Sequence, residues 1–220
     1  MRMQVIKAIL FEPVGCLAEF APEEFRDIAV NVFHRSPSPG TTGSDAYWHL
    51  LNVMETDTTR AAVSNREIIE DYESRAAGRA RSYEDVIPSL SELKALGIEL
   101  ILASSLSTNA VTRFLATSSL RDFFSDVWTR DTAGGVKHVP LVKALTGRAL
   151  EPAHVMFITD TAEGLEAAHQ VGVNAILMMN DPDEAMKLTT RGPAGGIVSL
   201  HELPDFVRIV AAENASPTPI

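Results

Sequence analysis

The chain has a single cysteine, Cys16, in 220 residues. An internal disulfide is therefore excluded, and the composition suits a reducing compartment. Long apolar runs are lacking too: none approaches the roughly 20 residues that a membrane span requires. The apolar run near the N-terminus is only about as long as a strand, and no small-residue cleavage site follows it. A cytoplasmic protein without a membrane partner is expected. Positive charge is scarce, with 19 Lys and Arg against 29 Asp and Glu, a formal net charge of −10. That deficit argues against a nucleic-acid partner, whose affinity would come from Lys and Arg on phosphates. A small anionic ligand in a locally basic pocket stays compatible with it. What the chain does have is a hydrophobic fraction of 45%, enough for a real core. Its mass of 23.9 kDa suits one large domain, or a core carrying a small insertion.

Apolar periodicity organises the chain. Val5, Ile6 and Ala8 to Phe11 read as a buried strand over 4–11, followed by a tight turn from Glu12 to Leu17. Phe25, Ile28, Ala29, Val32 and Phe33 then recur at helical spacing, with Pro22 where a first helical turn tolerates it. SPSPGTTG (36–43) is a breaker loop. Tyr47, Leu50, Leu51 and Met54 form a second helical stripe, and Ile69, Tyr72 and Ala76 a third. From residue 83 the pattern alternates. Helices are expected at 84–96 (stopped at Gly97), 108–117, 139–147, 162–171 and 201–212. Strands are expected at 98–103, 126–129, 154–159, 173–178 and 196–198. Such alternation predicts an α/β fold, a doubly wound parallel sheet. Residues 1–17 and 81–212 would form the core, 18–80 a small helical cap, and 213–220 a disordered tail.

In sheets of this kind ligands bind beyond the carboxyl ends of the strands. There the predicted strands deliver Glu12, then Ser104 and Ser105, then the loop with Lys137, then Thr159, Asp160 and Thr161. Four segments far apart in sequence would place a carboxylate, a hydroxyl, an ammonium and a second carboxylate at one edge.

That set, in that order, resembles the haloacid dehalogenase-like superfamily over nearly the whole chain. The family's first motif reads strand, Asp, x, Asp, Gly, Thr, Leu. In VIKAILFEPVGCL, Glu12 stands at the first Asp and Val14 at the second, while Gly15 and Leu17 keep their places. Ser104 matches the Ser or Thr of the second motif and Lys137 the Lys of the third. Asp160 matches the first acid of the fourth motif; Gly164 occupies the second, with Glu163 beside it, and Thr159 replaces a Gly.

The resemblance implies a role for each position. The first Asp would attack phosphorus and the second would act as general acid and base. Ser104 and Lys137 would hold the transferring group and offset its charge. Mg²⁺ would sit on Glu12, the Val14 carbonyl and Asp160. The departures fall on the acids. Val14 cannot protonate a leaving group, a loss of about 10²–10⁴ in rate. The extra methylene of Glu12 displaces its carboxylate by about 1 Å or more, which can cost about 10²-fold.

Two functions are therefore carried forward. One is a degraded member, weak or inactive as a phosphatase, that keeps an anion or metal pocket and acts by binding or as a homodimer. The alternative is an active Mg²⁺-dependent phosphomonoesterase that uses Glu12 as nucleophile or metal ligand. Several other residues have two readings. Cys16 is a reactive thiol or a small buried turn residue. His138 titrates a bound anion or is merely solvated, and His169 is a packing or surface residue. Arg75, Arg79 and Arg81 bind a phosphate or balance neighbouring acids. Tyr47 and Trp48 line a pocket or pack in the core.

Overall fold

The computed structural model describes residues 4–35, 42–56, 64–180 and 182–215. Its central feature is a six-stranded, all-parallel sheet flanked by helices. In chain order the strands are β1 (Ala8–Phe11), β4 (Glu99–Ala103), β5 (Asp126–Trp128), β6 (Val155–Thr159), β7 (Asn174–Met178) and β8 (Gly195–Ile197). Across the sheet they run β5-β4-β1-β6-β7-β8. The order reverses about β1, which puts its carboxyl end at the switch point where such sheets bind ligands. Every residue of β1 and β6 is buried, as expected for strands covered on both faces.

Register positions the site. Phe11 lies level with Leu102 of β4 and with Ile158 of β6. The next residues along these strands are Glu12, the Ala103-Ser104 pair and the Thr159-Asp160 pair. They emerge together at one edge without any contribution from loop folding.

A second, two-stranded sheet forms a neck. β2 (Ala18–Glu19) pairs antiparallel with β3 (Arg81–Ser82), and among the described residues three helices lie between them in sequence. These are α1 (Glu23–Asn31), α2 (Gly43–Thr56) and α3 (Arg66–Arg79). The breaker loop expected at 36–43 lies mostly outside the described residues; its last residue, Gly43, begins α2. Aromatic rings tie this helical segment to the helix that carries Phe114. Phe20 stacks on Phe25 at 6.2 Å and meets Phe114 at 5.5 Å, and Phe25 meets Tyr47 at 5.2 Å.

Beyond β3 the helices are α4 (Val86–Ala95), α5 (Thr108–Thr117), α6 (Arg130–Ala133), α7 (His138–Gly147), α8 (Ala162–Val171), α9 (Pro182–Thr189) and α10 (Leu203–Ala215). The expected helices over 84–212 are all present with bounds shifted by a few residues. The neck strands, α6 and α9 have no counterpart among the expected elements. A correction falls on the tail: α10 continues through Ala215, because Val207 and Val210 bury one face against the core. Residues 216–220 lie outside the described residues. No described helix is long and apolar enough to cross a membrane.

Candidate functional site

Glu12 is a buried carboxyl held by several donors. It is 3% exposed. Ser104 Oγ donates to its Oε1 at 2.6 Å, while the Ser105 N–H and the Tyr47 hydroxyl donate to its Oε2 at 3.1 and 3.0 Å. Burial nevertheless dominates and pushes the carboxyl from 4.5 to about 7, with these bonds only moderating the rise. Ser104 itself is fully buried and also accepts from the Leu106 N–H at 3.1 Å.

Asp160 sits at the wall of an open cavity of about 290 Å³. Ser44 Oγ donates to its Oδ1 at 2.7 Å, and Asn180 Nδ2 reaches its Oδ2 at 3.4 Å and the Gly15 carbonyl at 3.1 Å. Desolvation is the main cause that lifts this carboxyl from 3.8 to about 6. The cavity is also lined by Glu19, Asp45, Thr161 and Tyr83, and no Lys or Arg stands among the described lining residues. A phosphate there would meet carboxylates without a counter-charge from the described lining.

Lys137, the expected phosphate ligand, turns elsewhere. Its ammonium pairs with Glu55 of α2 at 2.6 Å. Its backbone N–H donates to Ser105 Oγ at 2.7 Å, and its φ of 57° is unusual for a side-chain-bearing residue. Glu163 does not replace the acid absent at Gly164: its carboxylate accepts from Asn52, again on α2, at 3.4 Å. Ser44, Tyr47, Asn52 and Glu55 thus project from one face of α2. They engage Asp160, Glu12, Glu163 and Lys137 in turn.

The donor set does not fit the Mg²⁺ that the sequence places on Glu12, the Val14 carbonyl and Asp160. Mg²⁺ wants free oxygen ligands in near-ideal octahedral geometry. Both oxygens of each carboxyl already accept a hydrogen bond, so a metal ion would have to share or displace those donors. Burial also favours the protonated form of each. Among the described residues no group of three His, Cys, Asp or Glu side chains could hold a metal ion.

The remaining candidates resolve as follows. Cys16 is buried, its thiol donates to the Ile158 carbonyl at 3.3 Å, and desolvation raises its pKa well above the ordinary value, which makes it an inert turn residue. His138 opens α7, half-buried, and does not line the cavity. His169 is exposed and lies 3.2 Å from the Gly192 carbonyl. Arg75 and Arg79 both bind Glu24 of α1, so they balance acids, while Arg81 is an exposed residue of the neck. Trp48 is core. Tyr47 is both things at once: its ring is fully buried and its hydroxyl reaches Glu12. Ser44, Asn180 and Glu55 were not legible as site residues. The polar residues Ser44 and Glu55, at helical spacing beside the apolar stripe of α2, are the signal that would have found two of them.

A sequence profile described as haloacid dehalogenase-like hydrolase matches residues 36–178. The match begins after β1, so Glu12 and Val14 lie outside it. Over 169 residues the chain is 26% identical to an enolase-phosphatase E1 from Enterobacter sp. (strain 638), covering 74% of this chain and 73% of that one. Among solved structures it resembles a predicted phosphatase from Clostridium acetobutylicum (TM-score 0.73, 16% identity, 94% of this chain and 100% of the other). It also resembles an L-2-haloacid dehalogenase from Xanthobacter autotrophicus (TM-score 0.62, 18% identity, 92% and 98%). At these identities the structural likenesses establish the fold.

Proposed function

The chain belongs to the haloacid dehalogenase-like hydrolase family, and on that premise we propose that it is a member that has given up hydrolytic turnover and acts by binding. The observation that carries this reading is the single face of α2 that engages Glu12, Lys137, Asp160 and Glu163 together. In this arrangement the α1–α3 segment is the cap, and it covers the core residues that a substrate would have to reach. Val14 supplies no general acid, and Glu12 is buried with both oxygens already accepting hydrogen bonds. A covalent step needs an accessible, ionised carboxylate aligned with the reacting atom. The cavity beside Asp160 is the place left for a ligand. Its lining favours a small molecule with hydroxyl or ammonium groups over a phosphate ester.

The test is turnover with Mg²⁺ on a panel of phosphomonoesters and 2-haloacids, with wild type beside a Glu12→Asp/Val14→Asp variant. The expected result is no wild-type turnover above background and measurable phosphatase activity in the double variant. Wild-type turnover that Glu12→Gln abolishes would overturn the reading and establish an enzyme with a modified nucleophile.

A further inference from the structure

Donors from two separate elements converge on one buried carboxyl. The end of β4 contributes the Ser104 hydroxyl and the Ser105 N–H, and α2 contributes the Tyr47 hydroxyl. We propose that these groups form a socket for a small carboxylic acid or carboxylate, and that the carboxyl of Glu12 is its built-in occupant.

The donors are held independently of the group they bind. Ser104 Oγ accepts from the Leu106 N–H, which leaves its own hydrogen for Glu12. The Ser105 hydroxyl accepts from the Lys137 N–H and its carbonyl accepts from Arg130, so the Ser105 peptide is fixed on both sides. The Tyr47 ring is locked between Phe25 and Trp48 at 5.2 and 6.0 Å. A socket built this way keeps its shape when its occupant is removed, and buried donors left without an acceptor favour any molecule that restores one. Outside molecules are excluded only because Glu12 already fills the space. Small molecules do enter buried cavities that match them.

The socket is the same place as the site read above as covered by α2, and it rests on that reading. The experiment measures stability and binding rather than turnover, so the two fail separately. Glu12→Ala deletes a CH2–COO⁻ group, which is acetate less one hydrogen. Thermal unfolding is followed at pH 6.5 in sodium acetate and in sodium chloride of equal ionic strength. The expected result is that acetate raises the Tm of Glu12→Ala by roughly 3 °C near saturation. It leaves wild type and the filled-socket variant Glu12→Gln unmoved. Acetamide, whose NH2 group meets donors, gives a smaller rise. Glu12→Ser, which keeps one polar atom in the socket, is carried in parallel in case the alanine variant does not fold. An equal acetate shift in wild type, no shift in either truncated variant, or failure of both to fold even in acetate overturns the proposal.

Discussion

A Cβ placed on Gly164 would lie 1.8 Å from the hydroxyl oxygen of Thr159. The two positions are therefore one change. The chain has a Thr where the family pattern has Gly, and a Gly where it has an acid; the threonine side chain fills the space that the acid's Cβ would need. Gly164→Asp alone should destabilise by about 1–3 kcal/mol through overpacking. Combined with Thr159→Gly it should cost clearly less than the sum of the two single changes. Urea unfolding of the four proteins measures the coupling, and simple additivity would show that the positions are independent.

A second predicted coupling concerns the fastening of the cap. Glu73 of α3 has no exposed surface, and Arg130 of α6 binds it through both terminal nitrogens at 2.5 and 3.0 Å. Glu73 also accepts from the Ser107 N–H at 3.1 Å. Glu73→Ala leaves an uncompensated guanidinium in the interior and should cost about 3–5 kcal/mol. Glu73→Leu/Arg130→Met removes both charges and should cost much less. Chemical denaturation compares them; equal losses in the single and double variants would mean that the pair contributes only packing.

The fold was legible because buried apolar strands alternate with helices at periods that only a parallel sheet satisfies. Four site residues were legible because strand ends fall at one edge whatever the loops do. The α2 contacts were not. Tyr47 lies on an apolar stripe, and nothing in a stripe reveals that the far end of a ring carries a hydroxyl into the site. Lys137 was misplaced for a related reason. Sequence locates its backbone, which does bond to the Ser105 side chain, but its long side chain follows the carboxylate of Glu55. Nothing in the sequence marks Glu73 and Arg130 as partners; tertiary structure brings them together.

Stability should fall as pH rises through the neutral range. Glu12 titrates at about 7 in the folded chain against 4.5 ordinarily, and Asp160 at about 6 against 3.8. The folded state therefore holds more protons than the unfolded state between about pH 4 and 7, and stability declines with pH in that window. The favourable contribution is complete below the unfolded values and gone above the folded ones. The Tm should drop between pH 5 and pH 8, and Glu12→Gln should flatten part of the drop. A wild-type Tm that rises over this interval would contradict the burial of the two carboxyls.

Magnitudes decide which contact keeps α2 over the sheet edge. The Lys137–Glu55 pair is at the rim, with the Glu55 side chain 47% exposed, and such pairs contribute about 0–1 kcal/mol. The Tyr47 hydroxyl is buried against a carboxyl, and a hydrogen bond to a charged group contributes about 1.5–3 kcal/mol. Glu55→Ala should therefore change stability little, and any change should vanish in high salt. Tyr47→Phe should destabilise clearly at pH 8 and less at pH 5, where Glu12 is protonated and its bond from Tyr47 is neutral. Unfolding of both variants at the two pH values, with and without added salt, separates these expectations. A larger loss from Glu55→Ala than from Tyr47→Phe would mean that the rim, not the buried hydroxyl, holds the cap.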